Sequence, residues 1–236
     1  MNKSAENLAY EAILEMILSK EFSQGDRLVE SEIAERLNLS RTPVRNVMRQ
    51  LVAEGLLEVK ENKGCYIPKL TPQDMYEVFK ARAYMEGHAS LEAASCRTEA
   101  DILLLEEMIH KERAFYSEGK LKEYSEVNNA FHLSIARICK NTYIEKFTRQ
   151  LFWRSELYIF HFDRFYTPSN PKELLRNPDE SISCSQHLQI VNAIVAADGA
   201  LAEGAMRSHI YTTFSKMSGR NPQAGICVPG FFTKTI

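Results

Sequence analysis

The chain has 236 residues, of which 44% are hydrophobic, and its 29 basic and 31 acidic residues give a net charge of −2. This hydrophobic fraction supports a packed core in one large or two smaller domains, whereas the charge balance excludes an attraction to nucleic acid that acts through the whole molecule. The five cysteines are scattered and form no CxxC pair, which predicts free thiols in a reducing cytoplasm. We see no secretory leader and no apolar run near the roughly 18 residues that span a membrane, so neither secretion nor membrane insertion is expected.

A pair of short amphipathic helices is predicted between Glu30 and Leu51. Asn38 separates them, and asparagine tolerates the left-handed backbone that so tight a turn requires. Ser40 is a good N-cap for the second helix, and Pro43 falls within its first turn, where a missing N–H group removes no hydrogen bond. The pattern is typical of a helix-turn-helix, in which the second helix reads DNA.

The second helix carries arginines at every fourth position, Arg41, Arg45 and Arg49, so they project along one side. Its other face is apolar and is formed by Val44, Val47, Met48 and Leu51. The alternative interpretation is a solvated charged face on a small bundle, but such a face normally mixes both signs of charge. Because the N-terminus of the helix also favours anions, the arginines predict insertion into a DNA major groove.

An extended pattern follows the second helix. The residues alternate with a period of two at 57–59, and an extended pattern resumes at 65–67. The turn residues between them predict a β-hairpin. Lys63 at its tip is placed to contact a phosphate, and Gly64 lets the backbone approach the sugar-phosphate chain. Residues 1–69 are therefore predicted to form a winged helix-turn-helix.

This segment contains the strings Leu39-Ser40-Arg41-Thr42-Pro43-Val44-Arg45 and Glu54-Gly55-Leu56-Leu57, and its wing contains Asn62-Lys63-Gly64. These strings resemble the DNA-binding domain of the GntR superfamily of bacterial transcriptional regulators. The resemblance implies that operator DNA is contacted by the wing around Gly64 and by Ser40, Arg41, Thr42 and Arg45. Ser31 is a departure, because some relatives carry a DNA-contacting arginine there.

The chain beyond the wing is predicted to be a second domain. Thr71 is placed to cap a new helix between two prolines, so residues 70–72 are predicted to be the linker. A helical pattern then predicts an all-α bundle within residues 73–218, with helices over 73–95, 99–118, 121–139, 142–166, 181–197 and 199–218. Prolines predict a surface loop at 167–180 with a helical turn at 172–176, and residues 219–236 are predicted to be an extended tail. The whole chain is thus expected to be mainly α, with a small β-hairpin wing.

Side chains that bind metals are spaced along the helices of this bundle. Asn128 and His132 lie one helical turn apart, and His187 and His209 lie on two later helices. Three imidazoles and an amide oxygen could meet inside the bundle and hold a metal ion. The alternative is that each histidine is a hydrogen-bonded core or surface residue, and the spacing alone does not decide between the two.

The same helices carry Phe131-His132, Gln186-His187-Leu188-Gln189-Ile190 and His209-Ile210, with Arg82 and Glu86 on the first helix of the bundle. These strings resemble the ligand-binding domain called FCD, typical of the FadR subgroup of the superfamily. That resemblance implies a divalent metal, commonly zinc or nickel, which grips a carboxylate effector together with an arginine and is held by Asn128, His132, His187 and His209. Asn128 replaces the usual aspartate, and metal affinity should fall because an amide oxygen is neutral and a poorer donor.

Two arginines are candidates for binding the effector. We hypothesise that Arg82 engages a carboxylate in bidentate fashion, and the alternative is an internal ion pair with Glu86 one turn away. Aromatic residues surround the helix at 142–166, which predicts burial on several sides, and one or two of them with Arg154 are expected to line an effector cavity. The remaining aromatics suit a core or an oligomer interface.

These features predict a homodimeric bacterial transcription factor, a repressor whose affinity for double-stranded operator DNA is controlled by a small organic acid. The linker region at 68–72 is predicted to transmit the signal. The alternative is a metal-dependent hydrolase with an accessory winged helix. Hydrolysis needs a general base beside the metal, and we find no motif such as HExxH that would supply one, so the chain is not expected to be an enzyme.

Overall fold

The computed structural model describes residues 4–60, 64–162 and 177–220. Its N-terminal part packs three helices against a small sheet. The helices and strands in chain order are α1 (Ala5–Leu18), β1 (Arg27–Leu28), α2 (Glu30–Arg36), α3 (Arg41–Ala53), β2 (Glu58–Lys60) and β3 (Gly64–Tyr66). The predicted winged helix-turn-helix fold is confirmed.

The turn between α2 and α3 has the backbone that its sequence predicts. Asn38 adopts φ 51°, and the Leu39 N–H group donates to the Ala34 carbonyl at 2.9 Å. Ser40 occupies the N-cap position of α3 with an extended backbone, but its side chain makes no capping hydrogen bond. The start of α3 therefore depends on the turn and on Pro43 rather than on a serine cap.

The wing belongs to a three-stranded antiparallel sheet in the order β1-β3-β2. Lys60 pairs with Gly64, whose φ of 92° is the left-handed conformation that favours glycine. Strand β1 was absent from the sequence prediction because two residues are too short to show an alternating pattern. The wing tip at 61–63, including Lys63, lies outside the described residues.

The C-terminal part is helical, as predicted. Thr71 caps its first helix by accepting a hydrogen bond from the Asp74 N–H group at 3.2 Å. The helices are α4 (Pro72–Cys96), α5 (Glu99–Glu118), α6 (Leu121–Ile138), α7 (Thr142–Phe162), α8 (Ile182–Val195) and α9 (Gly199–Arg220), with a 3₁₀ turn at Pro178–Glu180. Residues 163–176, which include most of the predicted loop, and 221–236 of the predicted tail lie outside the described residues.

Helix α7 contributes to two hydrophobic cores. Its residues Phe152, Trp153 and Leu157 join the core of the winged helix, whereas Tyr158 and Ile159 join the core of the helical bundle. The aromatic residues of α7 predict burial on several sides, and the helix is buried in this way because it packs in both cores. The two parts of the chain therefore share one helix in addition to the linker.

The linker itself is held in place. The Leu70 N–H group donates to Gln24 Oε1 at 3.0 Å, and the Thr71 N–H group donates to Tyr158 Oη at 3.2 Å. No helix in the described residues is both long and apolar enough to cross a membrane. The four cysteines among the described residues are free thiols.

Candidate DNA-binding surface and ligand site

The arginine face of α3 is exposed and lies beside a single carboxylate of α2. Glu30 Oε2 lies 2.9 Å from Arg45 Nε and 3.8 Å from Arg41 Nη2. Ser40, Thr42 and Arg49 are also exposed on this helix. An ion pair exposed to water contributes little to stability, so a DNA phosphate can replace the Glu30 carboxylate at small cost. The surface keeps a positive excess that suits a DNA backbone.

Three histidines from three helices converge inside the bundle. His132 on α6, His187 on α8 and His209 on α9 are all buried, and each offers a nitrogen within 4.8 Å of the other two. The Nε2 atoms of His187 and His209 are 3.1 Å apart. Of the two interpretations that the sequence left open, the geometry favours a site over three separate core histidines.

Each histidine of this triad has a polar partner at Nδ1. His132 Nδ1 lies 2.6 Å from Glu86 Oε2, and His187 Nδ1 lies 2.7 Å from Glu112 Oε1. His209 Nδ1 lies 3.1 Å from Gln186 Oε1. Metal-binding histidines typically use one nitrogen for such a partner, which orients the ring and leaves the other nitrogen for the metal. The three Nε2 atoms are therefore the ones available as ligands.

Two histidines of the triad, His132 and His209, have lowered pKa values. Burial, only partly offset by Glu86, lowers the pKa of His132 from 6.5 to about 4. Burial and the neighbouring His187 lower the pKa of His209 well below its usual value. Neutral imidazoles are the form that binds metals. The donor set of three imidazole nitrogens thus fits a divalent transition metal.

Asn128, the fourth predicted ligand, lies in the wall of the cavity beside the triad. It lines the same cavity as His132 and His209, and its side-chain Nδ2 lies 3.4 Å from Asn129 Oδ1. An amide oxygen is a weak ligand, so the three histidines carry most of the site's capacity to bind a metal.

Arg82 is buried next to the triad and forms the internal ion pair with Glu86 that was one of its two predicted interpretations. Its Nε atom pairs with Glu86, and its Nη1 atom donates to Ser155 Oγ at 2.9 Å. Its guanidinium lies over the Phe152 ring at 4.6 Å and also lines the cavity. Burial alone would raise the pKa of Glu86, but Arg82 and His132 outweigh it and lower that pKa to about 2. The third guanidinium nitrogen of Arg82, Nη2, takes part in neither the bond to Glu86 nor the bond to Ser155.

The cavity beside Arg82 has a volume of about 250 Å³, which suits a small ligand. Its wall is mostly polar, including Arg82, His132, His209, Tyr116, Tyr124 and Glu156. Arg154, predicted to line this cavity, lies elsewhere: its Nη2 pairs with Asp74 Oδ2 at 2.9 Å and ties α7 to the start of α4. Arg82 therefore lines the cavity, and Arg154 does not.

Glu156 is a second buried carboxyl in this wall. It is 1% exposed, and neither of its oxygens has a hydrogen-bond partner among the described residues. Burial, only partly offset by Arg82, raises its pKa from 4.5 to about 7. The folded protein therefore retains a proton that the unfolded chain releases, and the stability contributed by Glu156 falls as pH rises from 4.5 to about 7.

We expect Glu156→Gln to unfold at a higher temperature than the wild type above about pH 7, because the amide removes the cost of a buried charge. This advantage should disappear below about pH 4, where the carboxyl is protonated in both the folded protein and the unfolded chain. Thermal unfolding of the chelator-treated proteins across this range measures the difference. His132 also titrates in this window but is common to both proteins, so it cancels. An advantage independent of pH would contradict the prediction.

Sequence reasoning missed two buried acidic residues beside the triad and the cavity, Glu112 and Glu156. Glu112 follows Leu105 and Ile109 on the buried face of α5. A charged residue in a core position of a helix is a readable sign of function, and that sign was present in the sequence. Glu156, one turn after Phe152 within an aromatic helix, carries the same sign.

The fold and the site together define a transcription regulator, in which a winged helix-turn-helix binds DNA and a helical domain holds a ligand cavity. Residues 6–67 match the family described as bacterial regulatory proteins, gntR family, and residues 77–212 match the FCD domain. The chain belongs to the GntR family of bacterial DNA-binding transcription regulators, with an FCD domain as its effector-binding part. It is a regulator and not an enzyme, and the hydrolase alternative has no support.

Curated relatives have the same character. The chain is 30% identical over 200 residues to the HTH-type transcriptional repressor GlaR of Escherichia coli, covering 83% of this chain and 88% of that protein. It is 29% identical over 202 residues to the Uxu operon regulator of Haemophilus influenzae, covering 80% and 73%. It is 27% identical over 221 residues to the regulator LutR of Bacillus subtilis, covering 86% and 97%.

Solved structures share the fold. The E. coli protein McbR/YncC matches with a TM-score of 0.74 at 20% identity, covering 92% of this chain and 99% of that one. A putative GntR regulator from Rhodococcus matches with a TM-score of 0.67 at 17% identity, covering 93% and 100%. At these identities the likeness concerns the fold alone.

Proposed function

We propose that the chain is a repressor that binds its operator as a homodimer in the bacterial cytoplasm and leaves it when a small organic acid enters the cavity of the FCD domain. A divalent metal, zinc or nickel, held by His132, His187 and His209 would supply a Lewis-acidic contact for the acid's carboxylate. Arg82 would give a second cationic contact through Nη2. Asn128 would be at most a weak fourth ligand.

The observation that carries this proposal is the position of α7 between the ligand site and the DNA-binding core. The Phe152 ring lies 5.5 Å from the His132 ring and under the Arg82 guanidinium, yet it packs in the core of the winged helix. On the same helix, Gln150 Nε2 donates to the Ala53 carbonyl at the end of α3, at 2.6 Å. A change at the triad can therefore reach α3, the predicted DNA-reading helix, through the packing of α7.

Energetically, the acid must bind one placement of the two DNA-binding domains better than the other, because equal affinity would shift nothing. Tilting α7 changes that placement because the linker is tied to it at Tyr158. We therefore propose α7, and not the linker alone, as the element that transmits the signal.

The proposal is tested by measuring, with fluorescence anisotropy, how tightly the protein binds the DNA that lies upstream of its own gene. A panel of small carboxylic acids is added with and without a chelator. We expect some acids to raise the unfolding temperature and release the DNA, and the chelator to suppress both effects. Trp153, the single tryptophan, lies on α7 in the core of the winged helix, and its fluorescence emission should change at the same acid concentrations. No effect of any acid on stability or DNA binding would overturn the proposal.

A further inference from the structure

Glu156 lacks a partner that its surroundings require. A buried carboxylate costs free energy unless it accepts hydrogen bonds. Neither carboxyl oxygen of Glu156 has a hydrogen-bond donor among the described residues. It also lines the cavity that contains Arg82, His132 and His209. A ligand in that cavity is therefore placed to supply the donor.

The neighbouring cation does not take this role. Two nitrogens of Arg82 are committed to Glu86 and to Ser155. The carboxylate end of an acid is itself an acceptor and is drawn to Arg82, so it does not satisfy Glu156. The donor must come from another group of the same ligand.

We propose that Glu156 accepts a hydrogen bond from a hydroxyl group of the bound effector and so selects hydroxy acids over acids that lack the hydroxyl. This assignment rests on the proposed function. A hydroxyl suits the place better than an ammonium group, because the Arg82 guanidinium lies in the same cavity wall and repels a second cation. A hydroxyl also pairs with the carboxyl in either protonation state, since it both donates and accepts.

Matched pairs of acids test this inference by calorimetry and thermal shift. The pairs are lactate with propionate, malate with succinate, and gluconate with hexanoate, and alanine and aspartate supply the ammonium analogues. The wild type should bind the hydroxy acid of at least one pair about 10- to 100-fold more tightly, the range expected for a hydrogen bond to a charged group. Glu156→Leu should bind both members of that pair equally, whereas Glu156→Gln, which keeps an acceptor oxygen, should retain a preference.

Two further measurements separate this role from others. Metal content should be the same in wild type and Glu156→Leu, and a loss of metal would make Glu156 a ligand and overturn the inference. Glu180→Leu removes a carboxylate from the exposed rim of the same cavity and should keep the preference for the hydroxy acid.

The outcomes also distinguish the inference from the function on which it rests. If acids bind the protein and release it from DNA, but show no preference for the hydroxyl group, the role of Glu156 is overturned and the proposed function stands. A preference for the ammonium analogue, or one that survives in Glu156→Leu, would also overturn it. If no acid of the panel binds the wild type, both fail together.

Discussion

Replacing Arg45 with alanine is expected to weaken operator binding by roughly 30- to 10⁴-fold. A good arginine contact to a base edge is worth about 1–3 kcal/mol, and the proposed dimer would lose it twice. Arg45 is exposed on α3, where its side chain pairs with Glu30, so its removal leaves the core intact. Titration of a labelled duplex at fixed salt, followed by fluorescence anisotropy, measures the loss.

Arg137→Ala is the matched control, because this exposed arginine lies near the end of α6 in the other domain. It should bind DNA as the wild type does. Glu30→Gln should bind at least as tightly, since it removes the carboxylate that competes for Arg45. Wild-type affinity in Arg45→Ala would show that another surface reads the operator. An altered thermal transition would mean that the residue is structural.

Replacing His187 with alanine is expected to reduce bound metal from one ion per chain to almost none. His187 lies in contact with His209 at one nitrogen and Glu112 at the other, so its loss removes a ligand and leaves a buried carboxylate unpaired. Because that carboxylate also costs stability, His209→Gln serves as a second variant. Mass spectrometry of the metal content after gel filtration, compared with the wild type loaded with zinc or nickel, gives the result.

Glu112→Gln tests the outer part of the same site. Changing the partner of a metal-binding histidine typically lowers metal affinity by about 10- to 100-fold, so this variant should bind weakly but measurably. His88→Ala is the control, since His88 is exposed and pairs with Glu92 on the surface. Full metal content in both triad variants would defeat the metal site, as would a wild type that takes up no metal.

The DNA-reading part of this protein was predictable because its signals are local. Asn38, the first-turn proline and the four-residue spacing of the arginines each act within a few positions of the chain, and the structure has the turn and the exposed face that they imply. The pairing of Arg45 with Glu30 was not predictable in this way. The two residues are 15 positions apart and meet only when α2 crosses α3.

The ligand site was predictable by residue type but not by arrangement. The sequence singled out His132, His187 and His209, and the structure brings them together. It offered no means of assigning Glu112 to His187, because those residues are 75 positions apart. Arg154 shows the converse: its place on an aromatic helix suggested a cavity, but the packing of α7 turns it toward Asp74.

The sequence by itself therefore determined that the chain reads DNA and carries histidines suited to a metal, because helix period, turn residues and ligand type are properties of short segments. Only the tertiary structure decided that α7 joins the ligand site to the DNA-binding core and that Glu156 lacks a partner in the cavity wall. The physical reason is that burial and hydrogen bonding depend on helices far apart in the chain, whose contacts no local pattern encodes.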